Sequence, residues 1–369
     1  FRHANMAIFN VPHSSNPGDM AGDMVSMFFC RDPGNEGVAD GAEHIHHGGE
    51  PPIDAAGSGA DWLDLSTGIA PVAYPFDPPS PGSWRQLPRR LAEQETLEAA
   101  AGYFGMAAPD MGGSICFGPG SQALLQLLPD LLPTGTVAVL GPTYCEHAYR
   151  WARAGHDLHE ISNLADLPAQ FRYVVVVNPN SPTGAVHGAA GLLSLADQLA
   201  ARDGFLIVDE AFCDVLPDCS LAGEAGRPGL LILRSFGKFF GLAGLRLGFL
   251  IGPSKVIEAA RTQIGPWPVN GPALAIAAQA YGDAPWIASH RQMLAEQASN
   301  LRRLLAGHGE IVGGTDLFVL LRTDRATDLS ARLAQARIHV RRFPDHENWL
   351  RLGLPGDGAA WRRLTAALG

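Results

Sequence analysis

The chain has 369 residues, 46% of them hydrophobic, and a formal net charge of −10. That length and apolar content suffice for two domains sharing a large core, and no apolar run approaches the ~20 residues of a membrane span. An acidic balance without a basic tract argues against nucleic acid or an anionic membrane as partner, so an anionic substrate would need arginines gathered locally.

Residues 1–43 are rich in Gly, Asp, Asn and Met, show neither helical nor strand period, and read as a mostly disordered extension. They lack a charged segment followed by an apolar one, so a secretory leader is not expected and a cytoplasmic location is. Residues 44–60 are read as a segment joining a small domain, 61–266 as a large domain and 267–369 as the small C-terminal one. From Asp61 onward, continuous apolar runs alternate with helical patterns: Thr136–Leu140, Tyr173–Val177, Phe205–Val208, Leu230–Leu233 and Leu245–Ile251. Such runs predict strands buried on both faces, hence an α/β fold with a mostly parallel sheet between helices. After Pro266-Trp267-Pro268 a long helical pattern runs from Ala273 to about Ala306, followed by strand-like Leu317–Leu321, Ile338–Arg342 and Trp349–Leu352, which predicts a smaller α+β domain. The five cysteines (Cys30, Cys116, Cys145, Cys213, Cys219) are an odd number without metal-ligand spacing and read as reduced structural thiols, with no metal expected.

Only two of the 27 basic side chains are lysines, Lys238 and Lys255. Lys255 sits in a polar helix-like stretch and reads as a surface residue. Lys238 lies in Ser235-Phe-Gly-Lys238-Phe-Phe-Gly241-Leu-Ala-Gly244-Leu-Arg246-Leu-Gly248, crowded by glycines between apolar stretches. An amine kept where guanidinium is the usual cation points to chemistry guanidinium cannot do, such as forming a Schiff base. Upstream, Gly118-Pro-Gly120-Ser121-Gln122 before a helical pattern offers backbone N–H groups, a hydroxyl and a helix N-terminus to a phosphate, although the segment alone reads equally well as a tight turn. Asp209 ends the run Phe205-Leu-Ile-Val-Asp209, at the strand edge where open α/β sheets place their ligands.

These segments, in this order, resemble the fold type I pyridoxal-phosphate aminotransferase superfamily, especially its branch of histidinol-phosphate aminotransferases and threonine-phosphate decarboxylases, over roughly residues 44–369. The resemblance implies pyridoxal 5'-phosphate as cofactor, with Lys238 as Schiff-base residue and Asp209 bonding the pyridine nitrogen. It implies Tyr144 stacked on the ring, and Gly120, Ser121, Gln122, Ser235 and Arg246 around the phosphate. Asn178-Pro-Asn180-Ser181-Pro182-Thr183-Gly184 is similar to the loop that gives an amide to the cofactor's 3-hydroxyl. The position before Pro-Thr-Gly, often Asn, is here Ser181, so either Asn180 or Ser181 takes that role. Arg351, in Asn348-Trp-Leu-Arg351-Leu-Gly-Leu-Pro, matches the clamp for the substrate carboxylate, while Arg341 and Arg342 read as a solvated strand edge.

Two features separate the branches. Phe212 stands where transaminases commonly have a tyrosine, and it cannot donate that phenol's hydrogen bond. His46-His47-Gly48-Gly49, followed by Asp64-Leu-Ser-Thr-Gly-Ile-Ala70, is similar to the decarboxylases, in which His47 is a candidate substrate ligand. The resemblance implies decarboxylation of L-threonine-O-3-phosphate to (R)-1-amino-2-propanol O-2-phosphate for cobalamin biosynthesis; the alternative is an aminotransferase of the histidinol-phosphate type. A third reading, a sensor domain of a transcription regulator, predicts a basic DNA-binding segment, whereas the first 60 residues contain two arginines and no lysine. The family is typically homodimeric with a tyrosine crossing from the partner, and in the matching Trp84-Arg-Gln-Leu87-Pro88 only Trp84 or Leu87 is available for that place.

Overall fold

The structure is a computed structural model that describes residues 47–52, 62–107, 113–165 and 167–369. The expected extension, His46 and Cys30 lie outside these residues.

The chain enters through a short strand β1 (Leu63–Asp64), then α1 (Pro81–Arg85) and α2 (Arg90–Tyr103). The large sheet is assembled from β2 (Ile115–Gly118), β3 (Thr136–Leu140), β4 (Asp157–Ile161), β5 (Tyr173–Val177), β6 (Phe205–Asp209), β7 (Leu230–Ser235) and β8 (Gly248–Ile251). Interleaved helices are α3 (Ser121–Leu131), α4 (Glu146–Arg153), α5 (Ala189–Ala200) and α6 (Ser254–Ile264). The C-terminal part adds α7 (Gly271–Gly282), α8 (Ala284–Leu305), β9 (Glu310–Thr315), β10 (Phe318–Arg322), α9 (Ala326–Gln335), β11 (Ile338–His339), β12 (Arg341–Arg342), β13 (Trp349–Gly353) and α10 (Gly358–Leu368).

The seven strands are ordered β2-β8-β7-β6-β5-β3-β4, and β8 alone runs against its neighbours. The valines of Tyr173–Val177 are buried along the whole strand, as expected of a central strand covered on both faces. Crossover helices bring the C-terminal ends of β3, β5, β6 and β7 to one edge, the crevice where parallel sheets hold ligands.

The single long helix expected from Ala273 to Ala306 is two. Asp283 breaks it and caps the second half, its carboxylate accepting from the Trp286 N–H at 3.0 Å, with Pro285 in the first turn. α7 lies along α2, where the buried Thr96 hydroxyl donates to the Leu274 carbonyl. α7 thus packs against a helix of the N-terminal part of the chain.

The small antiparallel sheet is ordered β12-β13-β10-β9. Two connections fix it to the large domain. β1 pairs in parallel with β11, and the chain then runs under the Lys238 loop, with the Ala70 N–H bonded to the Lys238 carbonyl at 2.8 Å. On the other side, the Thr183 carbonyl accepts from Gly314 N–H on β9. The strand-like run at 338–342 is broken at Val340 into β11 and β12, so one short segment serves both small sheets.

Candidate active site

A cavity of about 240 Å³ opens at the C-terminal edge of the large sheet, and its wall takes residues from both domains. Lys238, Asp209, Ser121, Gln122, Tyr144, Ser235, Arg246, Arg351 and His47 all line it.

Lys238 follows β7 by three residues, in the turn that leads to β8. Burial pulls its amine from 10.5 down to about 8; Arg351 and Arg246 push the same way and Asp209 opposes them. A lysine so placed is partly neutral near physiological pH and available as a nucleophile. Its Nζ stands 5.6 Å from the centre of the Phe212 ring, which packs edge-on against Phe318. Gly68 lets those rings in: a Cβ there would meet Phe212 Cε1 at 2.6 Å and Phe318 Cδ1 at 3.0 Å.

Asp209 ends β6 and is buried. Its Oδ1 accepts from the Ala211 N–H at 3.0 Å and its Oδ2 meets His147 Nε2 at 2.9 Å. The next residue anchors the following loop: the buried Glu210 accepts from Arg234 Nη1 at 2.8 Å, from the Ser220 hydroxyl and from the Leu221 N–H. Arg234 also pairs with Asp214, and its guanidinium covers the Phe104 ring. This buried ion cluster behind the carboxylate, in which Arg234 Nε alone lacks a partner, fixes the strand end in place. His147 was not singled out in the sequence; its one signal is its position three residues beyond Tyr144.

The phosphate side is built by close approach. Gly120, at φ +88°, caps α3 and lies so near Arg246 that a Cβ would meet Nη2 at 2.5 Å. Arg246 itself adopts the left-handed conformation at φ 54°, rare for a residue with a Cβ and a cost that a fold retains where a side chain must be aimed. A guanidinium is thus brought to the start of a helix whose first N–H groups have no intrahelical partner. The Gln122 side chain is engaged within the protein. Its amide is used at both ends, Oε1 by the Tyr144 hydroxyl at 3.0 Å and Nε2 by Glu146 at 2.9 Å, so toward an anion it has its backbone to offer.

Asn180 and Ser181 are placed differently. Its amide donates to the Pro142 carbonyl and to Thr183 Oγ1, and its oxygen accepts from Thr143 Oγ1, so the side chain is committed to the loop and stays off the cavity wall. Ser181 reaches the wall instead, its Oγ 2.6 Å from Arg351 Nη1.

Arg351 on β13 also donates from Nη2 to the Ser66 carbonyl at 2.7 Å, while its buried Nε has no partner. Burial and Arg341 pull its guanidinium down to about 9, with Asp64 opposing: it is a cation short of an anion. Arg341 departs from the solvated edge expected of it. It is 8% exposed, lines the cavity, and sits directly across β12–β13 from Arg351 in register, whereas Arg342 is exposed as expected. His47, half-exposed, enters beside Tyr144 with ring centroids 5.8 Å apart, and its segment is held by the Gly49 N–H donating to Ser66 Oγ. Of the cysteines, Cys116, Cys213 and Cys219 are buried, and Cys145 reaches the cavity wall. Among the described residues, no cluster of three or more His, Cys, Asp or Glu side chains could hold a metal.

The comparisons with known proteins agree with this layout. The family model for aminotransferase class I and II matches residues 80–368. A threonine-phosphate decarboxylase from Pseudomonas aeruginosa is 45% identical over 315 residues, covering 84% of this chain and 92% of that one. One from Sinorhizobium sp is 42% identical over 335 residues, covering 88% and 97%. Among solved structures, the histidinol-phosphate aminotransferase from Clostridium acetobutylicum superposes with a TM-score of 0.71 at 20% identity, covering 83% of this chain and 98% of that one, a likeness of fold.

Proposed function

The chain belongs to the class I and II aminotransferase family, and from that premise we propose that it decarboxylates L-threonine-O-3-phosphate to (R)-1-amino-2-propanol O-2-phosphate, in cobalamin biosynthesis. Pyridoxal phosphate is its cofactor, and the residues suit it: a lysine amine brought to about 8, a buried carboxylate, and an arginine aimed at an open helix N-terminus, all on one cavity. The cofactor supplies an electron sink conjugated to the substrate's Cα. The observation that carries the choice of substrate is the arginine pair Arg341 and Arg351, opposite each other in register on the same wall: two cations suit one substrate bearing two anionic groups.

The geometry supports the following roles. Lys238 Nζ would hold the cofactor covalently and, when free, would be the group placed to return a proton to the substrate's Cα in exchange for the departing carboxylate. Asp209, oriented by His147 and the Ala211 N–H, keeps a proton on the cofactor's ring nitrogen. Arg246 with the start of α3 takes the cofactor phosphate. Arg351, steadied by Ser181 and the Ser66 carbonyl, takes the substrate carboxylate. Phe212 leaves the cofactor's 3-oxygen without the phenol that transaminases commonly place there, which favours the decarboxylase reading.

We also infer a homodimer, supported by apolar side chains exposed near α1 and α2: Trp84 at 69%, Leu91 at 64% and Leu87 at 62%. The odd cysteine count without metal-ligand spacing supports a cytoplasmic location. Among the described residues no helix is long and apolar enough to cross a membrane. The test is an assay of the cofactor-loaded protein with threonine phosphate, following carbon dioxide against glutamate-dependent amino transfer. Carbon dioxide without transfer is expected, and transfer without carbon dioxide would replace this reading with the aminotransferase one.

A further inference from the structure

Behind the cavity lies a second cleft of about 320 Å³, lined by α9 and the β11–β12 segment. His47 and Arg341 are the two residues that line both. They stand at the junction, with His339 and Arg342 farther along the cleft. An anionic group carried on the substrate's side chain, remote from the carbon next to Lys238, has its cations there.

His47 is not held by its own segment alone. Its Nε2 meets Oε1 of Glu146 at 2.8 Å, and Glu146 is buried on α4. The other carboxylate oxygen, Oε2, accepts from Gln122 Nε2 at 2.9 Å and Gln126 Nε2 at 2.7 Å, one turn apart on α3. Gln122 in turn accepts from the Tyr144 hydroxyl. Every neighbour donates, so Glu146 is an ionised acceptor, and His47 must place its proton on Nε2. The same donors hold the Glu146 carboxyl below its ordinary range, the His47 hydrogen bond first among them and burial opposing.

We propose that Glu146 is a positioning residue for the substrate's phosphate: anchored by the two glutamines of α3, it fixes the ring orientation and proton placement of His47 at the junction beside Arg341. This rests on the threonine-phosphate reading of the site. A carboxylate behind a histidine sets the ring's rotation and proton placement, as it does behind metal-bound or catalytic imidazoles. The charged and titratable groups facing His47 are Glu146 on α4, Tyr144 before it, and Arg341 on β12.

The test is a double-mutant cycle in the cofactor-loaded protein with Glu146→Gln, His47→Ala and both together. Its readouts are KM and kcat for threonine phosphate, the affinity for inorganic phosphate as a competitor, and thermal stability. Glu146→Gln presents an amide N–H to His47 and should raise KM about 10-fold with kcat within about 2-fold and weaken phosphate competition. The double variant should be no worse than His47→Ala alone. Additive losses, or a fall in kcat with KM and phosphate affinity unchanged, would overturn the proposal. Should Glu146→Gln fold poorly, Glu146→Asp supplies the arm: it keeps the charge but shortens the reach, and should recover part of the KM loss. If the wild type binds threonine phosphate but releases no carbon dioxide, the functional reading fails, while the cycle still reports through binding.

Discussion

The cofactor half and the substrate half of the cavity are built by different means. Lys238, Asp209, Tyr144, Ser235 and the start of α3 stand at the ends of strands of one sheet, each carried by a contiguous segment of sequence. Arg341, Arg351, Ser181 and His47 come from the small sheet, a connecting loop and the N-terminal segment, and meet only through the pairing of β12 with β13 and through Ser66. Chemistry shared across a family is thereby placed on the rigid scaffold, and choice of substrate on the joint between domains.

The division orders the expected losses. Lys238→Ala should remove the cofactor's visible absorbance band and lower carbon dioxide release by about 10⁴-fold or more, since covalent attachment and the proton donor go together. Arg351→Ala should leave that band in place while kcat/KM for threonine phosphate falls about 100-fold, because a buried guanidinium bonded to Ser181 and the Ser66 carbonyl is lost from the substrate half alone. His147→Ala, which strips Asp209 Oδ2 of its partner, should cost about 10-fold in kcat with KM little changed, and so breaks the cofactor half without touching the other. Gly68→Ala sets a Cβ against Phe212 and should lower stability by about 1–3 kcal/mol, read as a shift in the urea midpoint.

The last effect is on pH. The Lys238 amine titrates near 8 in the fold against its ordinary 10.5, so between those values the unfolded chain binds a proton that the folded chain does not. The cost of a buried ammonium is fully present below pH 8 and is relieved as pH rises toward 10.5. Cofactor-free wild type should therefore gain stability on Lys238→Met over that window, and parallel curves would contradict the depressed amine.

The sequence was legible where a segment carries its own reason. Tyr173–Val177 announces a central strand because every residue is apolar, and Lys238 stands out by composition. Asp283 and Pro285 hold the break between α7 and α8, but a helical period continuing on both sides hides it. Arg341 was misread because two adjacent arginines after a strand pattern have the texture of an edge; what buries one of them is a register with a strand ten residues on, which periodicity does not encode. The choice between Asn180 and Ser181 is hidden for a related reason. Its motif marks the loop, while the contacts with Thr143, Pro142 and Thr183 decide which way the amide turns. His147 and Glu146 lay beside a recognised motif, yet their partners are 62 and 99 residues away.

Arg341 is therefore where the account is most exposed. The measurement is the affinity of Arg341→Ala for pyridoxal phosphate alongside its kcat/KM for threonine phosphate. Unchanged cofactor affinity with about a 100-fold loss in kcat/KM is the predicted result. A loss of cofactor affinity matching the loss of activity, or full activity on threonine phosphate, would contradict the division of the cavity and the pairing of Arg341 with Arg351 as the site of a doubly anionic substrate.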